Sequence, residues 1–195
     1  MVTHMNLVAL TRRAKAASNL RRSAGLTLIE LLTVMTIVAI LFALGVPSYQ
    51  YVTNSNRISS EVNGLLGDMQ YARSEAIKEG QTVTVCASAN STTCSGSSSW
   101  ENGWIAFSDP NNNAAVDAGE NLLRVQRAFA PGDTFIATPS TSAVSFNREG
   151  FALGLNNTVT ITLHAASANA SSTRCLAINL VGQLTTEAAG VGACL

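Results

Sequence analysis

The residues best equipped for chemistry in this chain of 195 are few and widely spaced. Four cysteines stand at positions 86, 94, 175 and 194, and a set of this kind either forms bridges or holds a metal. The short Cys-x-x-Cys spacing of a zinc site is missing and His164 is the only histidine beyond His4, so disulfides and an oxidising compartment are expected. Four cysteines admit three pairings, of which the local one, Cys86 with Cys94 and Cys175 with Cys194, is the expectation. Asp109-Pro110-Asn111-Asn112-Asn113-Ala114 followed by Glu120 has the spacing of a calcium loop, but Ala114 replaces the glycine that permits its sharp turn. An ordinary hairpin loop is the expected reading. No nucleophile elbow, Walker loop, His-Glu-x-x-His helix or paired zinc motif occurs, and His164 has no Ser or Cys partner at a recognisable spacing. The chain is not expected to be an enzyme, nor to carry a metal or cofactor.

One further residue asks for an explanation. Glu30 is the only charge in the 21 residues from Leu26 to Val46, and an acid at the middle of a membrane helix costs on the order of 2.5–3.5 kcal/mol. Either it lies near the headgroups, where that cost is small, or it has a partner, and the second reading is the one adopted. The run itself would reach about 31 Å as a helix at 1.5 Å per residue, the thickness of a hydrocarbon core. Arg12, Arg13, Lys15, Arg21 and Arg22 precede it without an acid among residues 1–25, which places the amino terminus in the cytoplasm and the rest outside. The run continues into Pro47-Ser48-Tyr49 with no Ala-x-Ala pattern, so it is not an ordinary cleavable signal.

Beyond Pro47, Val62, Leu65, Leu66, Met69, Ala72, Ala76 and Ile77 recur at helical spacing, with Arg57, Glu61, Asp68, Arg73, Glu75 and Lys78 on other faces. The helix is expected to run to Glu79, with Gly80 closing it and the apolar stripe docking on a sheet. From there the pattern has period two. Strands are expected at 82–86, 104–107, 122–125, 134–137, 144–147, 158–163 and 174–180, joined by turn-rich separators that favour antiparallel hairpins. The organisation read from this is a basic leader (1–25), a transmembrane segment (26–46), an amphipathic helical segment (47–80) and an extracytoplasmic β domain (81–195).

Gly25-Leu26-Thr27-Leu28-Ile29-Glu30-Leu31-Leu32 resembles the class III leader junction of type IV prepilins and type II secretion pseudopilins. The resemblance implies that a prepilin peptidase cuts between Gly25 and Leu26 and methylates the new amino terminus on Leu26. It also implies that Glu30, fifth after the cut, is required for assembly and attracts the amino terminus of a neighbouring subunit. Carboxylate and ammonium, each costly alone in apolar surroundings, become tolerable as a pair. Leu26 stands where the family usually has Phe, and the leader is longer than usual, which a start at Met5 or later would shorten. Pro47 falls where family members carry a helix-kinking proline, so a kink or local melting near residues 45–47 is expected.

Gln70–Ile77, Val83–Cys86, Trp100–Asp109 and Gly119–Arg124 further resemble the FimT/FimU/GspH group. That resemblance implies an α+β, pilin-like fold, a long amino-terminal helix packed on antiparallel sheet. The function it implies is a minor pilin that enters and helps initiate a type IV pilus, with an H-type minor pseudopilin of type II secretion as the alternative. Implied partners are the prepilin peptidase, other major and minor pilins or pseudopilins, the inner membrane and its assembly platform. The implied location is the bacterial inner membrane, single-pass with a periplasmic carboxy-terminal domain, and then the fibre. The exposed loops 88–99 and 165–172 are where partner choice is expected to lie.

Some FimT-like minor pilins are DNA receptors through a Gly-Arg-x-Arg loop, but the matching Gly182-Gln183-Leu184-Thr185 has neither arginine. The chain's net charge of zero hides a division that bears on this. From Pro47 on there are seven basic and eleven acidic residues, net −4, which repels a polyanion and offers little counterion release. Arg148 and Arg174, in a patch with Asn147 and Asn179, are the remaining candidates for DNA contact, and nucleic acid is not the expected partner. Low charge (12%) with 47% hydrophobic residues excludes a disordered chain, and the length excludes a large multidomain enzyme.

Overall fold

The computed structural model describes residues 25–129, 131–166 and 172–194. The basic residues of the leader and most of the 165–172 loop lie outside them. The chain divides into two compact units between Ala43 and Leu44.

Among the described residues one helix, α1 (Leu28–Glu79), precedes nine strands. In its second half Ile58, Val62, Leu65, Met69, Ala72 and Ala76 form a buried stripe with steps of three and four residues, as 3.6 residues per turn requires. Ile77, expected within the stripe, is 52% exposed: it follows Ala76 directly and so points about 100° away from the buried face. Two acids expected on the polar faces, Glu61 and Glu75, are buried instead. Gly80 ends the helix at φ +70°, donating its N–H to the Ala76 carbonyl at 3.0 Å, a left-handed position that glycine takes without penalty. Of the kink or local melting expected near residues 45–47, melting is not observed. Pro47 lies inside an unbroken helix, and its missing N–H deprives only the Ala43 carbonyl of an intrahelical donor.

The strands are β1 (Val83–Ala87), β2 (Gly103–Ser108), β3 (Leu122–Arg127), β4 (Thr134–Thr138), β5 (Ala143–Phe146), β6 (Ala152–Leu153), β7 (Val159–His164), β8 (Arg174–Ile178) and β9 (Leu184–Ala188). They form a five-stranded sheet of order β3-β2-β1-β5-β6 and a four-stranded sheet of order β4-β7-β8-β9. Every pairing is antiparallel, as the turn-rich separators predict. Seven strands match expectation within a few residues, while β6 and β9 are additions.

The helix stripe and the inward residues of both sheets share one core, which includes Val83, Val85, Trp104, Phe135, Val144, Ile161 and Leu176. Against it the partly buried Phe129 stacks on Phe135 with ring centroids 4.7 Å apart, and Trp104 tilts against both. The Trp104 indole donates to Asp68 Oδ2 at 2.9 Å, which fixes the helix against β2. The loop before β2 also crosses to the other sheet: Trp100 N–H donates to the Phe135 carbonyl and Ala137 N–H to the Ser98 carbonyl, covering the free edge of β4.

β1 and β2 are buried on both faces, unlike the half-buried strands that period two suggests. Cys86, Ile105 and Phe107 point away from the helix into a second cluster, capped by Cys94, Val116 and Ala143. Loops therefore roof the outer face of this sheet.

Candidate functional site

The first turn of α1 is built from its sequence with little freedom. Thr27 precedes the helix, its Oγ1 accepts the Glu30 N–H at 3.2 Å, and its carbonyl accepts the Leu31 N–H at 3.1 Å. Thr27 is thus the N-cap and Glu30 the third helical residue, the Thr-x-x-Glu pattern that marks a helix start and places an acid at the positive end of the dipole. That signal is legible in the sequence and adds a second reason for an acid at position 30. Gly25 and Leu26 lie just before the cap, with open space around Gly25 and Leu26 73% exposed.

Every residue from Leu28 to Thr53 is exposed, including Leu31, Leu32, Ile37, Leu41 and Phe42. Among the described residues α1 is the one helix long and apolar enough to cross a membrane, by length and composition. Two threonine hydroxyls of the apolar run are satisfied within it: Thr33 Oγ1 donates to the Glu30 carbonyl at 2.9 Å and Thr36 Oγ1 to the Leu32 carbonyl at 2.8 Å.

The structure joins Cys86 to Cys94 and Cys175 to Cys194, with Cα separations of 5.5 Å in each case. The first bridge ties the 88–94 loop onto the outer face of β1, and the second ties the carboxy-terminal segment onto β8. The Asp109–Glu120 loop spends its oxygens on itself. Asp109 Oδ1 accepts the Asn113 N–H, and Oδ2 accepts the Ala114 N–H and the Thr84 hydroxyl at 2.7 Å. Asp117 Oδ2 accepts two asparagine amides, which draw its pKa down, and Glu120 Oε2 accepts the Asp117 N–H. Ala114 takes φ +55° where a calcium loop has glycine. Among the described residues no three His, Cys, Asp or Glu side chains converge to hold a metal ion. His164, at the end of β7, shares a 2.8 Å hydrogen bond with Thr173 Oγ1. A cleft of about 520 Å³ between the 139–142 and 154–157 loops is lined by Asn112, Ser140, Asn156 and their neighbours, without an acid, base or thiol.

The candidate DNA contacts are not one patch. Arg148, 71% exposed, lies in the β5–β6 turn and donates to Glu149 Oε1 at 2.7 Å. The β8–β9 turn with Asn179 is adjacent, since Ala152 N–H donates to the Leu180 carbonyl. Arg174, however, begins β8 at its other end, about 17 Å from Asn179 at roughly 3.3 Å per residue. The expected patch of Arg148, Arg174, Asn147 and Asn179 is therefore corrected: a whole strand separates its two cations. Gly182 sits in the β8–β9 turn at φ +75°, where a Cβ would strike the Gly150 carbonyl. Gln183 donates its N–H to Asn179 Oδ1 at 2.9 Å.

A long apolar-ended helix docked on two antiparallel sheets is the pilin architecture, and comparison with known proteins agrees. The family profile described as type II transport protein GspH matches residues 61–182, and the prokaryotic N-terminal methylation motif matches residues 20–46. The chain belongs to the GspH family of minor pilins and pseudopilins. Its fold is similar to that of the Pseudomonas aeruginosa (strain PAO1) type IV minor pilin FimU in its P21 crystal structure, with a TM-score of 0.53 and 20% identity. That match covers 69% of this chain and 90% of FimU. The same protein in space group P65 gives 0.49 and 19%, over 69% of this chain and 93% of that one. No curated protein matches the sequence.

Proposed function

We propose that this protein is a minor pilin, cut after Gly25 by a prepilin peptidase, methylated on Leu26 and incorporated into a type IV pilus that it helps to initiate. The observation that carries the reading is the first half of α1: apolar on every side, exposed throughout, and begun by a capped turn that presents Glu30. A helix of this kind needs lipid or other subunits around it, and within a fibre Glu30 faces the amino terminus of a neighbour. Before assembly the chain is anchored once in the bacterial inner membrane, with residues 1–25 cytoplasmic, residues 26–46 spanning and residues 47–195 periplasmic. Its partners are the assembly platform and other major and minor pilins, reached through the 88–99 and 165–172 loops. The role is structural, not enzymatic.

The second reading is an H-type minor pseudopilin of type II secretion, which the description of the matching family favours. The pilus reading follows the type IV minor pilin FimU. DNA binding is not part of the proposal, because residues 182–185 themselves carry no cation, Arg148 is paired with Glu149, and Arg148 and Arg174 lie apart.

Intact mass of the protein from membranes of hosts with and without a prepilin peptidase tests the proposal. Loss of residues 1–25 only with the peptidase, with a methyl group added, is expected. An uncut chain in both hosts overturns it. Deleting the gene then separates the readings: loss of piliation supports the pilus, and loss of protein export with pili intact supports secretion.

A further inference from the structure

Among the described residues the buried acids are Glu61, Glu75, Asp109 and Asp133, and two of them, Glu61 and Asp133, act on one another and on Arg57 at one seam. Arg57 and Glu61 are one turn apart on α1, close enough to pair with each other. Instead Arg57 Nη2 reaches across to Asp133 Oδ1 at 2.8 Å, in the loop that leads into β4. The same Oδ1 also accepts the Ala166 N–H at 2.9 Å. The Asp133 side chain is wholly buried, and Glu61 as a residue is 9% exposed. Three buried atoms at this seam have no hydrogen-bond partner among the described residues: Arg57 Nε, Glu61 Oε2 and Asp133 Oδ2.

With both carboxyls ionised, the cluster holds two buried negative charges against one positive, and an acceptor on each acid stays unsatisfied. Ionised carboxylates only accept hydrogen bonds, so they cannot relieve one another. One added proton changes both accounts: the cluster becomes neutral, and a neutral carboxyl brings an O–H donor. Glu61 is the acid without the guanidinium, so it is the one to carry that proton.

We propose that the cluster of Arg57, Glu61 and Asp133 holds a single proton, on Glu61, and that this proton steadies the seat of α1 against the loop before β4. The charged groups acting on Glu61 are Asp133 and Arg57. Burial first, and then the charge of Asp133, push the Glu61 carboxyl up to about 7, with Arg57 opposing them. Glu61 thus binds its proton more tightly in the folded chain than in the unfolded one, where the ordinary value is near 4.5. The steadying is complete below that ordinary value and is lost as pH rises through about 7. A subunit steadied in this way grips its helix more firmly in a mildly acidic compartment than in an alkaline one.

The test uses the full chain in detergent micelles. A carbon-13 titration of the Glu61 carboxyl should show a midpoint near 7, moved toward the ordinary range by Asp133→Asn. Hydrogen exchange of the amides at 132–138, corrected for intrinsic rates, should be roughly tenfold or more faster at pH 8 than at pH 5. Glu61→Gln, which keeps a donor at all pH values, should abolish that difference. A wild-type midpoint in the ordinary carboxylate range overturns the proposal, as does a Glu61→Gln variant that keeps the wild-type pH dependence. If that variant does not fold, the wild-type titration alone decides.

Discussion

The two halves of α1 are both rich in apolar residues and differ in where those residues stand. In residues 28–53 they surround the helix, and none is buried by the chain itself. In residues 58–76 they are confined to one stripe, and that stripe is buried against two sheets. Apolar content therefore does not decide whether a helix is covered by its own fold: a stripe can be met by one partner layer, whereas a helix apolar all round needs an enclosing medium. The two halves rest on different surroundings, and their independence is open to experiment.

The most severe test is Glu30→Ala. Subunits recovered in sheared fibres should fall to background, while the thermal midpoint of the β domain stays at the wild-type value; a change in both would dissolve the contrast between the halves. Next comes a matched pair of leucines on the one helix. Leu65→Ala should destabilise the domain by roughly 2–5 kcal/mol in denaturant titration, because it leaves a cavity at a fully buried site. Leu32→Ala should leave that titration unchanged, because its side chain contributes nothing to the core. Replacing Cys175 and Cys194 by serine together should cost about 2–4 kcal/mol by releasing a loop from the unfolded state's constraint. The smallest expected effect is Gly80→Ala, about 1 kcal/mol, from forcing a Cβ into the left-handed conformation that ends the docked half. An unchanged midpoint there would mean that the helix end relaxes freely.

What was legible in the sequence follows the same division. The apolar run, the stripe and the strands with alternating apolar residues announce themselves through spacing, because burial on one face imposes a period. β6 is only two residues long, too short to show any period. β9 reads Leu-Thr-Thr-Glu-Ala at a sheet edge and is largely exposed, so no apolar alternation was required of it. The burial of both faces of β1 was hidden for another reason: the covering comes from loops, the one that follows β1 directly and the one after β2, fastened by a disulfide and by Asp109. Glu61 reads as a surface acid by type, and its burial is a tertiary effect that helical spacing does not announce. At the amino terminus, Thr27 and Glu30 carry a capping signature that the sequence analysis did not use, because the apolar run and leader junction drew the reading there first.

The threonines of the exposed half have a consequence of their own. Thr33 and Thr36 hand their hydroxyl protons to carbonyls one turn back on the same helix, so neither needs a partner from outside. A side chain that travels with its own acceptor has no bond to renegotiate when its surroundings are exchanged, whether they are acyl chains or the flanks of other helices. For these two residues, passage between such media is a change of neighbours without a change of bonding.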